Sequence, residues 1–576
     1  MIGRTTILLF TWALWLGAAC ASPAITSPPP ASETLTPQES KDRLERAENF
    51  AEAIASKMNR LARSILNRDM EGIVSSFLEP ADVAPFPTAE TERRHDSVEW
   101  ILSHGWTIHS DAPRHRSKKE LGRAWDRFLL HFSQIEDLTL KVAKASLDEG
   151  GDAGEAQLRL SLVGRDREGR REWVRASAAI GLRREEDAGW SIVSLVFRSM
   201  DSLIASRDIF SEVSEPAGVS FHVPPLGPLN SRPFSFYWHG AAAGDIDGDG
   251  DIDLIATADS RNFLYLNDGA GRFREAARQA GIEHTSIPGG AGATAPLLLD
   301  IDNDGDIDLF LSMWGEQKLL ENRSVPDGEL RFLDISVPSG VSIRTNGLSA
   351  VAGDVNGDGR PDIYVCGYGR FDSPEAGLTA FYRSENGGRN LLFINEGDGR
   401  FTEAAEEYGV SDYRWSNSAV LADLDGDGDQ DLYVANDWGD NQLYFNEGAK
   451  FRQASADHGV SPPGFGMGVS LGDYNNDGLL DIHASYMSSM AASRILSRVG
   501  DDPLVQRDIE TLHSMVGGNR LFENLGEGRY RDVSKAAGPF DGGWAWGGGF
   551  IDIDNDGRQD LHTPNGLWSG KRHEDT

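Results

Sequence analysis

The chain is expected to be mainly β, a β-propeller preceded by a small α+β domain, and three observations carry that expectation. One acidic loop, D-x-[DN]-x-D-G-x-x-D, recurs six times between Asp245 and Asp560. Each copy runs directly into a short segment rich in β-favouring residues: DLIATA, DLFLSM, DIYVCG, DLYVAN, DIHAS and DLHT. Upstream of the first loop the texture differs, with helical periodicity followed by alternating strands. At 576 residues the chain also exceeds what one hydrophobic core usually serves, so more than one domain is expected.

From the N-terminus, Arg4, an apolar run from Ile7 to Leu16 and small residues before Cys20 read as an export signal over residues 1–21, too short to span a bilayer. Cleavage before Cys20 would leave a lipid-modified cysteine, and cleavage after Ala21 a soluble form. Both readings stay open. Residues 22–40 are a Pro/Ser/Thr-rich linker that cannot build a core. The expected location is the periplasm, the cell surface or the medium, with membrane contact only through an anchor at Cys20. Cys20 and Cys366 are the only cysteines, so no disulfide framework is available after processing, and Cys366 reads as an inert buried thiol.

Residues 41–205 form the α+β domain. Phe50, Ile54, Met58, Leu61 and Ile65 fall at the spacing of an amphipathic helix. A short helix is expected from Met70 to Leu78, stopped by Pro80. A further helix opens with the capping-box pair Ser117 and Glu120. Strands are expected at Leu138 to Leu147, Ala156 to Val163, Glu172 to Leu182 and Trp190 to Arg198. Helices followed by a meandering sheet resemble the cone-shaped nuclear transport factor two-like and SnoaL-like domains, a likeness that implies a pocket between helices and sheet. His95, His104, His109 and His115 match no zinc spacing and are expected in solvated loops.

Residues 209–576 carry the repeats, with an insertion at about 484–518. Positions one, three, five and nine of the loops are Asp245, Asp247, Asp249 and Asp253; Asp300, Asp302, Asp304 and Asp308; Asp354, Asn356, Asp358 and Asp362; Asp423, Asp425, Asp427 and Asp431; Asp473, Asn475, Asp477 and Asp481; and Asp552, Asp554, Asp556 and Asp560. Hard oxygen donors on alternate residues, with Gly at position six for a sharp turn, suit Ca²⁺, about one ion per loop and six in all. Position seven is Asp251, Asp306, Arg360, Asp429, Leu479 or Arg558, so its contribution is expected through the backbone carbonyl. An EF-hand is excluded, because position twelve is Ala256, Leu311, Val365, Val434, Ala484 or Thr563 where that motif needs Glu. The loops also account for a net charge of −35, which argues against nucleic acid as a partner.

An N-x-L-x-x-N segment follows the loop at Asn262 to Asn267, Asn441 to Asn446 and Asn519 to Asn524, with a variant at Asn390 to Asn395. A Gly-rich turn and a strand opening with Phe or Tyr come next, so each unit offers about four strands, as a propeller blade does. These units resemble the FG-GAP and VCBS repeats of the integrin α-chain propeller. From about Phe210 onward the chain is similar to the bacterial branch of the cartilage acidic protein (ASPIC/UnbV-type) family, which implies a calcium-binding extracellular propeller and supplies no catalytic residue. Six blades are readable and seven possible. Phe210 to Ser214 matches the fourth-strand pattern and is expected to close the ring against the last blade.

Aromatics precede several loops (Trp238, Trp415, Phe465, Trp544, with Trp546 near by) and are expected to pack between blades, with a stacking site at one mouth as the alternative. The expected function is a binding or adhesion scaffold for a protein or glycan. The alternatives are a polysaccharide-acting lyase or hydrolase, for which no nucleophile elbow, H-E-x-x-H or triad is found, and small-molecule binding by the N-terminal domain.

Overall fold

A computed structural model describes residues 37–564, except for 95–100, 221–238, 285–291, 325–329, 370–383, 489–510, 539–544 and a few shorter gaps that include Asp554. The export signal, most of the linker, and Asn565 onward therefore lie outside the described residues. The chain divides into two compact units, Met1–Ser211 and Glu212–Thr576.

In the first unit, helices α1 (Pro37–Leu66), α2 (Met70–Ser75) and α3 (Lys118–Leu129) share one core with an eight-stranded sheet. Its strands are β1 (Phe77–Val83), β2 (Thr88–Arg94), β3 (Ile101–Thr107), β4 (Arg114–Arg116), β5 (Gln134–Leu147), β6 (Ala153–Arg165), β7 (Arg171–Glu185) and β8 (Gly189–Ala205). The path is β2-β3-β8-β7-β6-β5, and β1 pairs with both β8 and β4. All five apolar residues expected on the face of α1 are buried. The capping box is formed: the Glu120 carboxylate accepts the Ser117 N–H at 2.9 Å, and the Ser117 hydroxyl accepts the Glu120 N–H at 3.4 Å. The four expected strands are β5 to β8, each longer than anticipated. The helix expected over Met70 to Leu78 instead ends at Ser75, because Phe77 turns into the core as the first residue of β1 and Phe77, Ala81 and Val83 bury there. Prolines 80, 85 and 87 and the charged TAETERR run hide β1 to β4 from periodicity.

In the second unit, five antiparallel four-stranded blades begin at Ala241, Ala293, Arg344, Trp415 and Gly466, and a sixth shows the pair Gly549–Ile551 and Asp560–His562. The first strands of successive blades are neighbours, and hydrogen bonds step from one to the next. Thr257 donates to the Thr294 carbonyl (3.2 Å), Thr294 to that of Gly347 (2.9 Å), Ser349 to that of Asn417 (2.7 Å) and Asn417 to that of Gly466 (2.7 Å). Each interface has its own apolar core. Phe310 and Leu319 of the second blade meet Ile363 and Phe393 of the third, while Tyr433 and Phe445 of the fourth meet Ile482 and Phe522 of the fifth. A strand buried on both faces explains runs such as DIYVCG, which are apolar without alternation. Cys366 lies in that run, fully buried, its thiol pushed up to about 12 by burial.

After the fourth strands of the first three blades comes a turn whose glycine backs onto the next blade. Gly281 packs on the Phe332 carbonyl, Gly340 on that of Phe401 and Gly409 on that of Phe451, each with φ of 80° to 89°. Gly218 does the same on Phe273 with φ 85°. Phe210 to Ser214 therefore stands at the fourth-strand place of the repeat, eight residues ahead of its glycine as Phe273 is of Gly281. It is not a strand, however: Ser214–Ala217 is one helical turn and Phe210 is 73% exposed. The expected closing pair is absent among the described residues, since no third strand of the sixth blade is described for that segment to pair with.

Candidate metal loops and the clamps between them

Every loop folds the same way. The N–H of position six donates to the position-one carboxylate: Gly250 to Asp245 (3.0 Å), Gly305 to Asp300 (3.1 Å), Gly359 to Asp354 (2.8 Å), Gly428 to Asp423 (3.1 Å), Gly478 to Asp473 (2.9 Å) and Gly557 to Asp552 (2.8 Å). Position seven donates its N–H to the position-five carboxylate in all six, whether it is Asp251, Asp306, Arg360, Asp429, Leu479 or Arg558. Its side chain is thereby left variable, and Arg360 turns back to pair with Asp358. The position-six glycines have φ of 83° to 98°. Position four is also left-handed, φ 59° to 88°, and holds only Gly or Asn (Gly248, Asn303, Gly357, Gly426, Asn476, Asn555), the residues that tolerate it. That restriction was visible in the sequence and is a second signature of the loop.

In the first five loops position nine is the most buried member, whereas Asp560 of the sixth is exposed. Asp253, Asp308, Asp362, Asp431 and Asp481 are at most 1% exposed. One carboxylate oxygen of each accepts the N–H of position two: Ile246, Ile301, Val355, Leu424 and Tyr474. The other accepts the N–H of the Asn that ends the third strand: Asn267, Asn322, Asn395, Asn446 and Asn524, at 2.7 to 2.9 Å. The carboxylate thus ties the loop to the third strand. Burial, aided by neighbouring carboxylates, pushes Asp308 and Asp431 up to about 7 and Asp362 and Asp481 to about 6, and it raises Asp247, Asp302 and Asp425.

In three loops three carboxylates lie within reach of one ion, each group with oxygens inside 4.8 Å of one another: Asp245, Asp247 and Asp253; Asp300, Asp302 and Asp304; Asp423, Asp425 and Asp431. Buried oxygens of Asp245, Asp247 and Asp300 have no hydrogen-bond partner among the described residues. Crowded, desolvated carboxylates with unspent lone pairs and an all-oxygen donor set fit a hard divalent cation. Asn356, Asp358, Asp354, Asn475, Asp477, Asp473, Asp552, Asp556 and Asp560 take the same loop positions, while Asp554 lies outside the described residues.

The last Asn of each third strand does more than its spacing suggested. In the first blade Asn267 donates to Ile252 of its own loop (3.1 Å); in the next four the side-chain amide donates to two carbonyls, one in its own loop and one in the loop of the preceding blade. Asn322 reaches Ile307 (3.1 Å) and Ile246 (3.0 Å); Asn395 reaches Pro361 (3.2 Å) and Ile301 (2.9 Å). Asn446 reaches Gln430 (3.3 Å) and Val355 (2.8 Å), and Asn524 reaches Leu480 (3.2 Å) and Leu424 (3.3 Å). Neighbouring acidic loops are clamped through one buried amide.

A profile of the FG-GAP-like repeat matches residues 245–311, 300–365, 378–434 and 423–484. Within the second unit, residues 245–365 and 378–484 are FG-GAP-like repeats. Cartilage acidic protein 1 of Mus musculus is 26% identical over 289 residues, 45% of this chain and 43% of the relative. The chain therefore spans less than half the length of that relative. Among solved structures, a lectin from Agrocybe aegerita described as recognising non-reducing terminal N-acetylglucosamine is 14% identical, covering 66% of this chain and 80% of its own, with a TM-score of 0.30. A nuclear transport factor 2-like superfamily protein from Salmonella enterica serovar Typhimurium is 14% identical over 27% of this chain and 91% of its own, with a TM-score of 0.19.

The aromatics before the FG-GAP loops sort toward packing. Trp415 is 4% exposed and packs edge-on against Tyr368 of the preceding blade at 5.0 Å. Phe465 meets Trp438 at 4.9 Å, Trp546 is half-buried, and Trp238 and Trp544 lie outside the described residues. Asp437, beside Trp438, accepts the Tyr368 hydroxyl at 2.6 Å in this buried cluster, and burial lifts it to about 7. It is a carboxylate outside the metal loops, enclosed rather than facing a cleft. The insertion is pinned at its ends by a bridge between Ser488 and Gly517, and most of its expected helical content falls in 489–510, outside the described residues. Of the four histidines, His115 pairs with Asp82 at 2.6 Å, His109 bonds Thr88 at 3.2 Å, His104 sits on β3 and His95 lies outside the described residues.

Proposed function

We propose that the protein is an exported, calcium-stabilised interaction scaffold whose propeller presents a rigid surface to a protein or glycan. The observation that carries this reading is the repeated acidic loop, with five position-nine carboxylates buried between strands and loop oxygens left without a partner among the described residues. Asp245, Asp247, Asp249 and Asp253 and their counterparts would hold Ca²⁺, with the position-seven carbonyl completing the set. The ion supplies positive charge to a cluster that otherwise repels itself. The chain's own part is geometric: the position-six N–H orients the first carboxylate, the position-nine carboxylate joins loop to third strand, and the Asn amide joins loop to loop. Binding free energy of the ions thereby becomes stability of the blades and rigidity of the surface they carry. The apolar run before Cys20 supports export, and Cys20 itself an anchor. A glycan and protein array probed with the full-length chain at saturating calcium and after chelation tests the proposal. Binding that disappears with chelation supports it; no retained ligand on either array, or binding indifferent to calcium, contradicts it.

A further inference from the structure

The six loops keep one spacing but differ in charge. Positions one, three, five, seven and nine are all Asp in the first loop (Asp245 to Asp253), the second (Asp300 to Asp308) and the fourth (Asp423 to Asp431), five carboxylates in each. The third and fifth keep three, with Asn356 and Asn475 at position three and Arg360 and Leu479 at position seven. The sixth keeps four and carries Arg558 at position seven.

Geometry sorts the loops the same way. Among the described residues, three carboxylates converge within reach of one ion in the first, second and fourth loops. Asp245 and Asp300, at position one of the first two, each keep a buried oxygen without a hydrogen-bond partner there. In the third and fifth loops the position-three amide turns onto position five instead: Asn356 Nδ2 donates to Asp358 at 3.0 Å, and Asn475 Nδ2 to Asp477 at 2.9 Å. Position one is spent as well. Asp354 accepts the N–H groups of Asp358 (3.0 Å) and Gly359 (2.8 Å), and Asp473 those of Asp477 (3.0 Å) and Gly478 (2.9 Å). In the sixth loop Asp552 likewise accepts those of Asp556 (3.0 Å) and Gly557 (2.8 Å).

The third loop also has a cation of the chain's own. The Arg360 guanidinium pairs with Asp358 and donates from Nε to the Asn395 carbonyl at 2.9 Å, which ties the loop to the third strand of its blade. The same loop is clamped on both sides, by Asn395 to the second loop and by Asn446 to the fourth. Five crowded carboxylates repel one another and lose water without enough donors to replace it, whereas three carboxylates facing amide or guanidinium donors are satisfied. Calcium affinity of an all-oxygen loop rises with the number of charged ligands.

Resting on the calcium reading above, we infer that the loops form two classes. The first, second and fourth hold their ions tightly. The third, fifth and sixth keep their shape by internal hydrogen bonds and take an ion only at higher calcium, the third in competition with Arg360. The propeller therefore has a folded three-ion state between the metal-free and the fully loaded chain.

The test titrates the full-length, metal-free chain with Ca²⁺, counting ions by calorimetry and following hydrogen exchange in peptides that cover each loop. About three ions are expected first, with protection rising around Asp245, Asp300 and Asp423. The remaining ions should need calcium about tenfold higher or more, with protection around Asp473 rising only then. Arg360→Gln should tighten calcium binding at the third loop, and Asn356→Asp combined with Arg360→Asp should move that loop into the first class. In the opposite direction, Asp247→Asn combined with Asp251→Leu should move the first loop into the second class. Six indistinguishable sites, early protection at the fifth loop, or a third loop whose affinity ignores both Arg360 substitutions would overturn the inference and leave calcium binding itself standing. A chain that takes up no calcium at any loop would overturn both.

Discussion

Replacing Asn395 with Leu isolates the clamp between loops. The side chain is fully buried and spends three hydrogen bonds, donating to Ile301 (2.9 Å) and Pro361 (3.2 Å) and accepting the Gly397 N–H (2.9 Å). Leucine keeps the volume and leaves two carbonyls and one N–H without that partner. At about 1 kcal/mol per bond, rising where a group stays buried and unsatisfied, the loss is about 3 kcal/mol. For a unit of this size that lowers the melting temperature by about 4 °C, using an unfolding entropy of about 2 cal/mol/K per residue. The distinguishing result is spatial. Because the amide spans two blades, hydrogen exchange should quicken in peptides covering both the second loop, around Ile301, and the third, around Val355, while the fifth loop stays protected. Calcium titration should show two weakened sites from one substitution. Faster exchange confined to the third loop would refute the idea that blades are coupled through this amide.

Gly428→Ala introduces a Cβ into open space at φ 98°, so only backbone strain is added. About 1 kcal/mol is expected, with one calcium site weakened in a titration. Trp415→Ala should cost about 3 to 5 kcal/mol in a urea melt, because the ring is buried between blades; a near-neutral effect would restore a ligand-stacking role. Asp437 has its native value raised to about 7 from an unfolded value near 4, so the folded chain holds an extra proton between those limits. Stability at saturating calcium should therefore fall as pH rises from about 4 to about 7, and Asp437→Asn should flatten that slope and melt higher than the parent at pH 8.

The acidic loops were legible because their chemistry and spacing are local: nine consecutive residues hold the donors, the left-handed glycine and the start of a strand. What the loops are tied to was not. Asn395 and Asn446 stand in a visible repeat, yet their partners Ile301 and Val355 are 94 and 91 residues away and are backbone carbonyls, which leave no mark in side-chain identity. The first half of the N-terminal sheet was missed for a different reason. Phe77 to Arg116 carries prolines and charges, and its strand character comes from pairing with β8 rather than from its own pattern. Phe210 to Ser214 shows the converse: the sequence match falls at the fourth-strand place of the repeat, yet the segment leads into one helical turn, and the part of the last blade it was expected to pair with lies outside the described residues.

The central claim, that these loops bind calcium and that their carboxylates hold the propeller together only with it, is tested most directly by melting the full-length protein after complete metal removal and again with calcium restored. About six bound ions and a melting temperature lowered by many degrees on removal, recovered with Ca²⁺, are expected. An unchanged melting curve in the metal-free protein would contradict the account.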